Sequence, residues 1–227
     1  MKIPSSSISR ISLYYRALLS VKEASVVSSE EVSLLTGFSA AQVRKDLAYF
    51  GQFGTPGRGY SIEILKKELK KILGTDREWD VALVGTGNLG SALLAYKGFK
   101  HQGFNIKYAF DNDKKKINKL RQGVRIRPID DLPQIVRDKK ISIAIVAVPQ
   151  ESAKDVIDKL IDSGIKAILN FAPKRSKVPE TIELLNIDLS MELERLTYFL
   201  QRGQKCCLLY TSPSPRDRTR SRMPSSA

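Results

Sequence analysis

Cysteine is nearly absent from the 227 residues, with only Cys206 and Cys207, which are adjacent. Such a pair makes neither a disulfide framework nor the ligand spacing of a zinc site. Poverty in cysteine suits the reducing cytoplasm, the expected location. Histidine is scarcer still: with His101 alone, a metal centre built on several imidazoles is excluded and no metal is expected. Acid–base catalysis would rest on that one side chain, with no carboxylate or nucleophile legible beside it. No window approaches the roughly 18 consecutive apolar residues of a membrane helix. Residues 1–10 are rich in serine and lack an apolar signal core, so no membrane association is expected.

Positive charge, by contrast, is abundant: 38 Lys and Arg stand against 24 Asp and Glu, a net charge of +14. This favours anionic partners, but the excess is spread along the whole chain and locates no nucleic-acid face by itself. The length and the 42% apolar content suit one large domain or two small ones. Near residue 78 a helix-rich, turn-punctuated pattern gives way to alternating strands and helices, the mark of a parallel sheet. The expected division is residues 1–78, residues 79–189, a terminal helix at 190–205, and a disordered tail at 206–227 rich in Ser, Pro and Arg.

In the front part, Ile8, Ile11, Tyr15, Leu18 and Leu19 are spaced to lay one stripe along an amphipathic helix. Ser28 or Ser29 caps a second, short helix with Glu30 and Glu31 in its first turn, and Val32, Leu34 and Leu35 are expected to carry its core face. After Gly37, Ser39 caps a third helix in which Val43, Leu47 and Phe50 point inward, leaving Gln42, Arg44, Lys45 and Tyr49 outside. Two short helices joined by a glycine turn, the second with an exposed Gln/Arg/Lys surface, make the pattern of a helix-turn-helix with a recognition helix. Arg and Lys suit guanine or phosphate, and Gln suits adenine. The following stretch, GQFGTPGRGY, flanks Arg58 with glycines, as the wing of a winged helix would, and a wing arginine suits the minor groove of A·T-rich DNA. Residues 62–73 read as a lysine-faced amphipathic helix that closes this part.

In the back part, a short apolar strand at residues 80–84 runs into Gly85-Thr86-Gly87-Asn88-Leu89-Gly90 and then a helical segment. This is G-x-G-x-x-G between strand and helix, the loop that places helix N–H groups against a pyrophosphate. The next strand ends in Asp111, 21 positions beyond Gly90, the spacing of a carboxylate that binds the adenosine ribose hydroxyls. Its charge favours NAD+/NADH over a 2′-phosphorylated cofactor. The three lysines from Lys114 to Lys116 read as a helix start. Strands at 141–148 and 166–170 and helices at 129–137 and 152–163 complete a Rossmann-type pattern, with a last short apolar piece at 187–189. Strand ends face the ligand crevice in such sheets, so Val148, Pro149, Asn170 and Phe171 are candidates for lining the nicotinamide end. The last helix carries Leu193, Leu196, Phe199 and Leu200 on one side and needs something to pack against.

Taken together, AQVRKDLAYFGQFGTPGRGY joined to VALVGTGNLGSALLAYKGF, followed by AFDND, NFAP and IDLSMELERL, resembles the Rex family of bacterial redox-sensing transcriptional repressors over about residues 8–203. The resemblance implies a homodimer with exchanged terminal helices that binds an inverted-repeat operator in double-stranded DNA, repressing with NAD+ and releasing with NADH. It implies that Ser39, Gln42, Arg44, Lys45 and Tyr49 lie on the operator with Arg58 in the wing, and that Gly85, Gly87, Gly90 and Asp111 hold the dinucleotide. It also implies a sensing network of Arg16, Tyr96 and Asp188. The tail after about residue 205 has no counterpart in the family pattern. Two other readings of the residues remain at this point. An NAD-dependent oxidoreductase is favoured by fold and opposed by the missing substrate domain; a nucleotide-binding module regulating a protein partner would not need Arg44 and Lys45 for DNA.

Overall fold

The computed structural model describes residues 3–21, 24–55, 57–173 and 176–202. The expected tail at 206–227 lies outside the described residues, as do positions 203–205 of the expected terminal helix. The chain divides into two compact units between Asp76 and Arg77.

The first unit runs α1 (Ser5–Ser20), β1 (Val26–Val27), α2 (Ser29–Thr36), α3 (Ala40–Ala48), β2 (Gly54–Thr55), β3 (Gly59–Ser61) and α4 (Ile62–Leu73). A full capping box starts α2: Ser28 accepts from the Glu31 backbone N–H, and the Glu31 carboxylate accepts from that of Ser28. Ser39 caps α3 by accepting from Gln42 N at 3.2 Å. The three strands form a small antiparallel sheet in the order β1-β3-β2, so that a helix-turn-helix is followed by a β wing. Its core gathers Ile11, Tyr14, Leu18, Val32, Val43, Leu47, Leu65 and Leu69.

Two helical faces differ from expectation. Leu34 and Leu35 are 85% and 50% exposed; Ser29 and Val32 take the inward positions of α2, and Leu34, two residues on, lies about 200° around the helix from Val32. In α1 the buried stripe is Ile11, Tyr14, Tyr15 and Leu18, leaving Ile8 and Leu19 exposed. Tyr14, absent from the expected stripe, is among the largest fully buried side chains.

The second unit runs β4 (Trp79–Val84), α5 (Asn88–Ala95), α6 (Lys97–His101), β5 (Phe104–Asp111), β6 (Leu120–Arg121), β7 (Val124–Pro128), a 3-10 turn (Ile129–Asp131), α7 (Leu132–Asp138), β8 (Ile143–Val146), α8 (Gln150–Asp162), β9 (Ala167–Asn170), β10 (Glu183–Asn186) and α9 (Leu189–Arg202). Its sheet has the order β10-β9-β8-β4-β5-β7-β6. All neighbours are parallel except the β6–β7 pair, and the central strands are buried on both faces, as parallel sheets require. The order doubles back from β4, giving the doubly wound Rossmann arrangement. The lysine run Lys114–Lys116 begins no helix but lies in turns before the β6–β7 hairpin, and the apolar piece at 187–189 follows the last strand, β10, and leads into α9. Helix α5 ends at Tyr96, whose extended backbone separates it from α6. Among the described residues no helix is long and apolar enough to cross a membrane, and no group of three or more His, Cys, Asp or Glu is placed to hold a metal ion.

Candidate cofactor crevice and nucleic-acid interface

The strand order reverses between β4 and β8, and there a crevice of about 450 Å³ opens, lined by Gly85, Gly87, Asp111, Lys116, Ile129, Val148, Pro149, Val156 and Lys159 among others. Gly85 takes φ +93°, and a Cβ on it would stand 2.4 Å from the Ala147 carbonyl oxygen, so only glycine turns the chain out of β4 against β8. A Cβ at Gly90 would lie 1.9 Å from the Gly85 oxygen, which holds the first turn of α5 hard against the loop. At Gly87 a Cβ would meet no protein atom within 4 Å. That open space over the start of α5 is where helix N–H groups offer themselves to an anion.

Asp111, 6% exposed at the end of β5, organises the loop. Its Oδ2 accepts from Thr86 N at 2.9 Å, Thr86 Oγ1 at 2.6 Å and Lys116 Nζ at 3.2 Å, and its Oδ1 accepts from Asp113 N at 2.9 Å. Burial opposes ionisation, but these hydrogen bonds, from Thr86 above all, outweigh it and hold the carboxyl at about 2. Thr86, itself buried, therefore spends both donors on Asp111. Asn88 and Leu89 open α5.

Val148 and Pro149 line the crevice; Asn170 and Phe171 do not lie among its lining residues. Asn170 is buried, accepting from Ala172 N and donating to the Asn186 side chain at 2.8 Å, which ties the end of β9 to β10. Phe171 packs with Val81, Leu83 and Ile145 on one face of the sheet. Ile129 and Val156, apolar walls of the crevice, carry no motif of their own and were not legible in the sequence.

In the first unit, Arg44 and Lys45 on α3 and Arg58 on the wing turn are exposed. Arg44 Nη1 donates to Ser29 Oγ at 2.7 Å and to Glu30 Oε1 at 3.0 Å; an exposed ion pair of this kind holds weakly. Arg44 and Arg58 share the wall of a cavity of about 730 Å³ with residues of α2, α3 and the wing, Tyr60 among them. Tyr49 is half-buried at the end of α3. Gln42 donates its amide to Asp46, and Asp46 itself, missed in the sequence, is fully buried between α3 and α1. An Asp between Lys45 and Leu47 looks like one more charge on a polar helix face, and only packing against α1 reveals otherwise. Burial works against its ionisation, yet hydrogen bonds from Arg10, Tyr14 and Ser7 hold its carboxyl below the ordinary range.

Arg16 is exposed on α1, in the first unit. Tyr96 and Asp188 belong to the second. Tyr96 is 60% exposed and stacks edge-on with Phe99. Asp188 caps α9, its Oδ1 accepting from Ser190 N at 3.0 Å and Met191 N at 3.3 Å.

Comparison with known proteins covers both units. A family model described as "CoA binding domain" matches residues 76–174, and one described as "Putative DNA-binding protein N-terminus" matches residues 2–48. The chain is 48% identical over 200 residues to the redox-sensing transcriptional repressor Rex of Desulfitobacterium hafniense, covering 87% of this chain and 95% of that protein. It is 40% identical to Rex of Streptomyces coelicolor, over 88% of this chain and 78% of that one. A crystal structure of RSP in complex with β-NAD+ and operator DNA superposes with a TM-score of 0.86 at 35% identity, covering 89% of this chain and 94% of the other; RSP in complex with β-NADH gives 0.80 at 33% identity, covering 89% and 96%.

Proposed function

The chain belongs to the Rex family of redox-sensing transcriptional repressors, and from that premise we propose that it binds operator DNA through α3 and the wing and reads the NADH/NAD+ ratio in the crevice between β4 and β8. It is a regulator and not a dehydrogenase. The observation that carries the reading is the presence in one chain of a winged helix with exposed Arg44, Lys45 and Arg58 and of a switch-point crevice with Gly85, Gly87 and Asp111 on its wall.

The residues fit a dinucleotide. The clear space over Gly87 suits a pyrophosphate at the start of α5. Thr86, Asn88, Leu89 and Gly90 shape that turn, and Ile129 and Val156 offer apolar walls to an adenine. Asp111, held ionised, suits ribose hydroxyls and opposes a ribose phosphate, which weighs against coenzyme A, the ligand in the matched domain description. Val148 and Pro149 on the wall are the side of the crevice assigned to the nicotinamide, and Asn170 and Phe171 lie outside that wall at the neighbouring strand end. When bound, NAD+ supplies a cationic ring that is neutral in NADH. An Asp–Arg–Tyr set of Asp188, Arg16 and Tyr96 has the chemistry to respond to that difference in charge. Asp188 is suited to relay it, since its carboxylate caps α9 and a change at Asp188 is a change at the start of that helix.

The functional unit in this reading is a homodimer on an inverted repeat, one recognition helix per half-site, with Ser39, Gln42, Tyr49 and Arg58 flanking the contacts of Arg44 and Lys45. Passing from 99:1 to 1:99 between DNA-competent and closed dimers needs about a 10⁴-fold difference in NADH affinity, shared between two sites. Fluorescence anisotropy of a labelled A·T-rich inverted-repeat duplex, at one stated salt concentration, tests the proposal. Binding should survive NAD+ and coenzyme A and collapse with NADH. Equal binding with NAD+ and NADH would refute the redox reading, and turnover of NADH with keto acids would restore the oxidoreductase.

A further inference from the structure

Asp46 is fully buried in α3 although its charged neighbours Arg44 and Lys45 are exposed. From α1, Ser7 Oγ donates to its Oδ1 at 3.0 Å, Tyr14 OH donates to its Oδ2 at 2.8 Å, and Arg10 donates to both oxygens, through Nη2 to Oδ1 at 2.7 Å and through Nε to Oδ2. From one turn earlier in α3, Gln42 Nε2 donates to Oδ1 at 3.0 Å. Every partner is a donor, and Arg10 supplies the compensating charge that a buried carboxylate requires.

This arrangement fixes something that geometry alone rarely fixes, the direction of a glutamine amide. An ionised carboxylate only accepts, so the Gln42 nitrogen must face Asp46 and Oε1 must face away. Gln42 is half-buried and lies about 60° around the helix from Lys45, on the flank of the exposed face. We infer that Asp46 is a positioning residue for base recognition: by holding the Gln42 nitrogen inward it leaves Oε1 as the group offered to the major groove, so that Gln42 selects an amino-bearing base, adenine or cytosine, on the strand it faces. Adenine N6 and cytosine N4 are the major-groove amino donors, whereas guanine and thymine present oxygen acceptors there. Adenine is the better partner, because its N7 also accepts the remaining Nε2 hydrogen. A residue that only held α3 on α1 would affect the affinity for all sequences alike; this one sets which base is chosen at one position.

The inference rests on the operator-binding reading of α3. It is tested with the intact chain by selection from a duplex pool randomised over inverted half-sites, read by sequencing at fixed salt. The wild type should show one position per half-site where adenine or cytosine on one strand outweighs guanine or thymine by about five- to tenfold. Gln42→Ala should flatten that position and leave the others unchanged. Asp46→Ala should lose it as well, because no carboxylate then holds the Gln42 nitrogen inward and the freed Arg10 donors draw Oε1 towards themselves. A Gln42→Ala profile identical to the wild type overturns the inference, as does an Asp46→Ala protein that binds with wild-type preferences. Should Asp46→Ala not fold, Gln42→Ala decides alone, since Gln42 is only half-buried. A wild-type chain that enriches no sequence overturns the operator-binding reading and this assignment with it.

Discussion

Gly87 and Gly90 stand three residues apart in one loop, and alanine has opposite consequences at the two. At Gly90 the added methyl has the Gly85 carbonyl oxygen 1.9 Å away and no flexible side chain to displace, so the turn into α5 must open; overpacking of this kind costs about 1–3 kcal/mol or more. Gly90→Ala should lower the melting temperature even without cofactor. At Gly87 the methyl meets no protein atom within 4 Å, so the apo protein should change by less than about 0.5 kcal/mol, as a surface substitution does. It enters instead the space a pyrophosphate needs, and NADH affinity should fall about tenfold or more. Thermal unfolding of the apo forms beside NADH fluorescence titrations separates the two effects, and loss of apo stability in Gly87→Ala would contradict the open cradle.

Among the described elements, α9 leaves a long apolar stripe uncovered. None of its residues is buried: Leu189, Leu193, Leu196 and Leu200 are 50–80% exposed, although the helix is capped by Asp188 and shows a regular apolar stripe. An amphipathic helix owes most of its stability to what its apolar face covers, and an exposed stripe of this size has the character of an interface. For the homodimer proposed above, Leu193→Asp should shift the chain from dimer to monomer in sedimentation velocity, with the fold of each unit retained by circular dichroism. A dimer unchanged in Leu193→Asp would place the subunit contact elsewhere. The surface of α2, with Leu34 outward, is a smaller instance of the same pattern.

Over the whole molecule, each unit has its own core and its own buried carboxylate, Asp46 in the first and Asp111 in the second. Both carboxyls are held below their ordinary range, Asp111 at about 2. A depressed folded-state pKa means that the unfolded chain binds the proton first, so the stabilisation is complete above the unfolded value of about 4 and is lost as the pH falls below it, for Asp111 through about 2. Acid should therefore weaken both units. Trp79, the only tryptophan, opens β4 in the second unit, and its emission reports on that unit. Urea unfolding followed at Trp79 should lose stability between about pH 4 and pH 2 in the wild type, and Asp111→Asn should flatten that limb; an unaltered acid limb in the variant would remove Asp111 as its cause.

Whatever depends on local spacing could be read along the chain. A capping serine at Ser28 or Ser29, the cap Ser39, the strand–loop–helix around Gly85–Gly90, the acidic end of β5 at Asp111 and the alternation that makes a parallel sheet are all short-range patterns, and each is physically sufficient for its element. Tertiary structure decided what depends on which face meets which neighbour. It turned Leu34 outward because α2 packs through Ser29 and Val32, drew Tyr14 into the core, and kept Lys114–Lys116 in a turn where the chain reverses into the β6–β7 hairpin. It brought Ile129 and Val156 to the crevice from elements with no motif. It also buried Asp46, whose meaning depends on Ser7, Arg10 and Tyr14 more than thirty residues earlier, a distance over which no periodicity in the sequence carries information.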